Sequence, residues 1–177
     1  MRRLLVPIVA AVAAALVPAG AADAASCAGA HTRPNHHNAS KVRHATLCLL
    51  NEQRAAAGLS RIHPNHKLAK AAKRHSRDMV VHGYFDHSSP TGSTLVSRLE
   101  AVRYVVATIS WYAAENIAWG SGRFATPASI VRSWMHSPPH RANILSSQAR
   151  DAGVGVALGA PGGGSGATYT LDFGRRG

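Results

Sequence analysis

Gly153-Val-Gly-Val-Ala-Leu-Gly159, followed ten residues on by Tyr169-Thr-Leu-Asp-Phe173, sets the fold class of this chain. Val154, Val156 and Leu158 alternate with small residues, and Tyr169, Leu171 and Phe173 repeat the same period of two. Both runs therefore read as strands, joined by the flexible loop Gly159–Gly166. That glycine tract is not a phosphate cradle. Its spacing misses the dinucleotide pattern by one residue, it opens no helix, and no Gly-Lys-Ser/Thr follows.

Upstream the period changes to that of a helix. Val42, Ala45, Cys48 and Leu49 share a stripe, predicting a helix from Ser40 as N-cap to Ala57, ended by Gly58. Pro64-Asn65 opens a second, carrying Leu68, Ala72, His75 or Ser76, Met79 and Val80, and His82-Gly83 stops it. Its other face bears Lys70, Lys73, Arg74 and Arg77, a solvated face that can also be drawn to an anionic surface. Tyr84 to Gly92 reads as a loop, followed by a short helix near Leu95–Val102. Thr126-Pro127 is an N-cap and first-turn pair for a helix bearing Ile130, Val131 and Trp134, which Pro138-Pro139 closes. Helices early and strands late, with no regular β-α alternation, predict an α+β fold in which helices cover an antiparallel sheet.

The 177 residues suit one domain plus a leader, and 46% apolar content excludes a collagen-like or wholly disordered chain. Arg2-Arg3, the apolar run Leu4–Val17 and the small-x-small site Ala22-Asp23-Ala24 are the parts of a secretory signal peptide. The run is too short to span a bilayer comfortably, and the residues after Arg2-Arg3 match a twin-arginine signal poorly. An uncleaved anchor, or a lipoprotein acylated at Cys27, are the weaker alternatives. Cleavage after Ala24 takes two cations and one acid off the formal +12, leaving +11 on a chain that keeps all 11 histidines. An exported chain with two cysteines predicts one disulfide, Cys27–Cys48, worth roughly 3 kcal/mol for a loop of about 20 residues. The expected organisation is a signal peptide at 1–24, a polar tied segment at 25–41 and a domain at 42–177. The His-rich tract from His31 to Asn38 is read as a solvated linker rather than a metal site.

Three segments carry unusual combinations: Tyr84-Phe-Asp-His87-Ser88, Ala114-Glu115-Asn116-Ile-Ala118 and Trp134-Met-His136-Ser137-Pro-Pro-His140-Arg-Ala-Asn143-Ile-Leu145. His136 and His140 have the spacing of helical zinc ligands, but the proline pair between them prevents the regular turn that would put both on one face.

Together these segments make the chain resemble a bacterial member of the CAP superfamily, the cysteine-rich secretory, antigen 5 and pathogenesis-related proteins. Asn51-Glu-Gln-Arg54 with Gly58-Leu59, then Leu68-Ala-Lys-Ala-Ala72, is similar to the family's opening helices. Phe85-Asp-His87-Ser88 matches its first histidine motif, and Ala114-Glu115-Asn116-Ile117 matches its Gly-Glu-Asn-Ile segment with alanine for glycine. The likeness runs from about Thr46 to Phe173. It implies a three-layer α-β-α sandwich with a small antiparallel sheet, and a cleft lined by His87, His140 and Glu115. The family's second acid falls at Ser137, so the tetrad is incomplete here.

Two neutral imidazoles, His87 and His140, can hold a divalent ion such as Zn2+ weakly, at about 2.0–2.1 Å with waters completing the shell. Glu115, the candidate catalytic residue, could then order or deprotonate one of those waters. Equally, Glu115 can simply hydrogen-bond a histidine and tie the fold together. The preferred function is a secreted, non-catalytic binding module for a lipid, glycan or cell-wall ligand, since no serine stands in a nucleophile elbow and Cys48 is expected in the disulfide. The alternative is a metal-assisted hydrolase acting on cell-wall or peptide substrates. Positive charge favours association with anionic envelope polymers, while export and the lack of a stacking motif argue against nucleic acid. A monomer is expected.

Overall fold

A computed structural model describes residues 27–177; the expected signal peptide lies outside them. In chain order the elements are α1 (Ala39–Ala56), β1 (His63–Pro64), α2 (His66–His82), α3 (Leu95–Ala101), β2 (Trp111–Gly120), α4 (Pro127–His136), α5 (Pro138–Ile144), β3 (Asp151–Leu158) and β4 (Ala167–Arg176). Local chemistry accounts for most boundaries. The Asn65 side chain accepts hydrogen bonds from the backbone N–H groups of Lys67 and Leu68, and Gly83 takes the left-handed conformation that ends α2. Thr94 and Ser97 form a capping box at α3, and Thr126 caps α4 with Pro127 behind it. Cys27 and Cys48 are disulfide-bonded across a sequence separation of 21. The polar tract between them is folded on itself, with the Asn35 side chain accepting from the N–H groups of His37 and Asn38.

The architecture is the expected three-layer α+β sandwich, with two corrections. First, the sheet is mixed rather than antiparallel. Its order is β1-β3-β4-β2, and the two-residue strand β1 runs parallel to β3 while the other pairs are antiparallel. Second, Pro138-Pro139 does not merely stop α4. It supplies the first turn of α5, where proline's fixed φ suits the helix and its missing N–H costs nothing.

Alternation along β4 sorts the layers. Tyr169, Leu171 and Phe173, all fully buried, face the main core with Val42 and Leu50 of α1, Ile130 and Trp134 of α4, and Ile144 of α5. Each contributes roughly 1.5–3 kcal/mol by leaving water. A smaller cluster of Leu68, Ala71, Leu99 and Tyr104 lies under α2 and α3 on the other side. There, α2 approaches the sheet so closely that a Cβ on Gly153 would sit 2.1 Å from Ala69 N, and one on Gly155 2.2 Å from the Ala72 carbonyl carbon. Only glycine lets backbone meet backbone at that distance. Among the described residues no helix is long and apolar enough to cross a membrane.

Candidate functional site

Glu115 sits mid-way along β2, an edge strand, and its side chain points into the α2–α3 layer, where it is 2% exposed. A carboxylate so buried needs partners, and it has them. Arg98 of α3 donates from Nη2 to Oε2 at 2.7 Å, and His87 donates from Nδ1 to Oε1 at 2.8 Å. His75 of α2 brings its Nε2 to 3.8 Å from Oε1 and donates the same nitrogen's proton to the Asp86 carbonyl at 3.0 Å. Because a carbonyl and a carboxylate can only accept, these contacts settle the ring protons: His75 carries one on Nε2 and His87 one on Nδ1. The His87 Nε2 is thereby left as the lone-pair nitrogen of the neutral ring. Arg98 also donates to the carbonyls of Ser93 and His87, fixing the 84–92 loop beneath its histidine.

Directly across the ladder from Glu115 stands Asp172 of β4, fully buried on the same face of the sheet. Opposed residues in an antiparallel pair lie about 4.5–5.5 Å apart at Cβ. Neither oxygen of Asp172 meets a donor. Two ionised carboxylates offer each other only lone pairs, so a bond between them requires one proton. Burial, followed by the Glu115 charge, raises the Asp172 pKa well above the ordinary aspartate value, which favours the proton on Asp172. Burial pushes Glu115 up too, but the His87 hydrogen bond and the Arg98 and His75 charges outweigh it and hold Glu115 below the usual range. The result is an ionised glutamate facing an aspartic acid whose neutral form is favoured by burial.

The histidines differ accordingly. The hydrogen bond to Glu115 raises the pKa of His87, whose side chain is 53% exposed, whereas burial lowers that of His75. Half-buried His140, on α5, is lowered by burial and then by the charge of His87. Its backbone is anchored by Asn116, whose amide donates to the His140 carbonyl at 3.0 Å, while Asn143 donates to the Asn116 side chain and to the Glu115 carbonyl. The Ala-Glu-Asn-Ile segment thus serves both layers, with Glu115 reaching toward His87 and Asn116 holding α5.

His87 and Glu115 are therefore joined through their side chains, and His140 is held by its backbone carbonyl to Asn116, the next residue of the same strand. Ser137 is not joined to them by a hydrogen bond or ion pair. It ends α4 and lines a separate hollow with Phe124, Arg132 and His136, and His136 donates to Arg132 within its own helix. Arg98, His75 and Asp172 complete the cluster, and no sequence motif points to them. The available signal for Asp172 is its place between Leu171 and Phe173, on a strand that helices cover on both faces.

This chain belongs to the CAP family: the model of the Cysteine-rich secretory protein family matches residues 47–173. It is 34% identical over 125 residues to the uncharacterized protein YkwD of Bacillus subtilis (strain 168), a match covering 71% of this chain and 44% of that one. An extracellular SCP-domain protein of Bacillus anthracis superimposes with a TM-score of 0.63 at 27% identity, over 79% of this chain and 43% of that one. An outer surface protein of Borrelia burgdorferi has the same fold at 16% identity, TM-score 0.64, over 82% of this chain and 98% of that one. The chain thus spans less than half the length of its two Bacillus relatives.

Proposed function

We propose that the chain is an extracellular CAP-domain module that binds a ligand at the His87–His140 edge of the sheet and catalyses no reaction there. The observation carrying this reading is the state of Glu115. Its two oxygens are both engaged, it is removed from solvent, and its pKa lies below the usual range. A general base works best with a pKa near the ambient pH and with a free lone pair aimed at the proton it takes. Glu115 lies below that optimum and has each oxygen already tied to a cationic or N–H donor away from solvent, and it acts as the post on which His87 is set. The extracellular setting rests on the leader sequence and on the description of the Bacillus anthracis relative as an extracellular protein.

The chemistry of two neutral imidazoles suits a weak, exchangeable divalent cation. The Glu115–His87 contact is the carboxylate–histidine arrangement that orients an imidazole ligand and leaves Nε2 available. The depressed pKa of His140 keeps its ring neutral and able to donate a lone pair. Among the described residues, the one group of three close donors is Cys27, Cys48 and Glu52, whose sulfurs are committed to the disulfide. A bound ion at His87 and His140 would supply Lewis acidity or an anchor for an anionic ligand group. Both proposals are tested by titrating the isotope-labelled protein with Zn2+ alone and with soluble peptidoglycan fragments, watching the His87 and His140 ring resonances. Saturable shifts confined to that edge, together with unchanged fragments after prolonged incubation, support the reading. Fragment cleavage lost in Glu115→Gln would replace it with the metal-assisted hydrolase.

A further inference from the structure

The opposite edge of the sheet carries a second feature, independent of the His87 cleft. In β3 the odd residues face β4, as the Gly159 N–H to Gly166 carbonyl bond at the end of the strand shows, and the even residues face outward. The Ala152 carbonyl is taken by β1 through the Asn65 N–H, but β1 ends at Pro64 and the chain turns away into α2. Beyond that point the outward N–H and C=O groups of Val154, Val156 and Leu158 have no partner among the described residues. The other sheet edge is handled differently. The β2 carbonyls of Glu115 and Ile117 accept from Asn143 and from the Trp134 indole. Native sheets cover or blunt their edges, so an open one continuing the lane of a truncated strand is a place where another strand can add.

The lane is also roomy. Two hollows of about 360 and 330 Å³ lie end to end along it, the first against Val156–Leu158 and the second against Ala152–Val154. The first is walled by the Pro34–His36 tract and by Lys73 and Arg77 of α2, and the second by Arg43 and His44 of α1 and by His66 and Ala69 of α2. Among the described residues no carboxylate lines either hollow.

We propose that this lane, along the outer edge of β3 from Val154 to Leu158, docks an extended acidic polypeptide segment that joins the sheet as a fifth strand. The alternating donors and acceptors select a polypeptide main chain, which an acyl chain cannot satisfy, and the cationic walls select acidic side chains. At about 3.3 Å per residue the five lane residues accommodate a segment of roughly five to six residues.

The test uses the isotope-labelled protein and the probe peptide acetyl-(Glu-Val)3-amide. Saturable amide shifts centred on Val154, Val156 and Leu158 are expected. N-methylation at alternate peptide residues, made in both registers, should weaken binding about tenfold in one register only, the equivalent of one lost hydrogen bond. Lys73→Glu with Arg77→Glu, both exposed, should shift the preference to the corresponding Lys-Val peptide. Leu158→Pro, at the half-buried last position of β3, removes one outward donor and no ladder bond, and should weaken binding in a protein whose spectrum is otherwise native. The proposal is overturned if about 1 mM peptide leaves these amides unmoved, if both N-methylated registers bind as well as the parent, or if only laurate shifts them, which would make the lane an acyl-chain site.

Discussion

Asp172→Asn separates the proposed protonation pattern from its alternative. The substitution keeps the shape of the side chain, fixes it neutral, and gives it an N–H with which to donate to Glu115. A group whose folded pKa lies above its unfolded value contributes stability that is complete below the unfolded pKa, near 3.8, and is lost as pH rises through the folded one. Each pH unit in which the native state holds that proton and the unfolded chain does not costs roughly 1.4 kcal/mol. The wild-type protein therefore carries a downward contribution to its stability above pH 4 that Asp172→Asn removes. The asparagine's second amide hydrogen, buried without an acceptor, costs about 1 kcal/mol or more at every pH, so the diagnostic is the slope and not the offset. Urea unfolding of both proteins from pH 4 to 8, with m-values compared, reads that slope directly. The difference in stability should move in favour of the variant as pH rises above 4, by about 1.4 kcal/mol for each unit in which only the native state holds the proton. A difference that is flat with pH, or that runs the other way, would show Asp172 ionised and refute the reasoning.

Other substitutions probe the same cluster and its scaffold. Arg98→Met leaves Glu115 buried beside Asp172 without its strongest cation and should cost about 3–5 kcal/mol, while adding Glu115→Gln to it should recover much of the loss in a double-mutant cycle. Arg54, fully buried, donates to the carbonyls of Ser60, Ile144 and Ser146, so it sews α1 to the segment after α5. Arg54→Met should cost roughly 3 kcal/mol or more by orphaning those carbonyls, measured by the same denaturation. Replacing Cys27 and Cys48 by serine should cost roughly 3 kcal/mol and release the 27–38 tract, visible as faster amide exchange at Asn35 and Asn38.

The parts of the fold visible in the sequence are those with a strong local signature. The helix α2 has its asparagine cap, apolar stripe and terminal glycine, and β3 and β4 show their alternation plainly because one face is apolar and the other small or polar. β2 hides because its middle pairs a buried Glu115 with a buried Asn116, which puts polar side chains on both faces and erases the period of two. β1 is two residues long and contains Pro64, so only the tertiary lane beside β3 makes it a strand. The start of α5 reads as a stop because proline ends one helix as readily as it begins the next. At the site, His87 and Glu115 carry motifs, whereas Arg98 and Asp172 come from other elements and gain their roles only by burial against Glu115.

The most direct test of the account is a carboxyl-resolved carbon NMR titration of Glu115 and Asp172. Glu115 should remain ionised to below the ordinary glutamate pKa of 4.5, while Asp172 holds its proton well above the ordinary 3.8. A Glu115 that instead titrates above 4.5, beside an ionised Asp172, would contradict the claim that it is a structural post and would hand the site to acid–base chemistry.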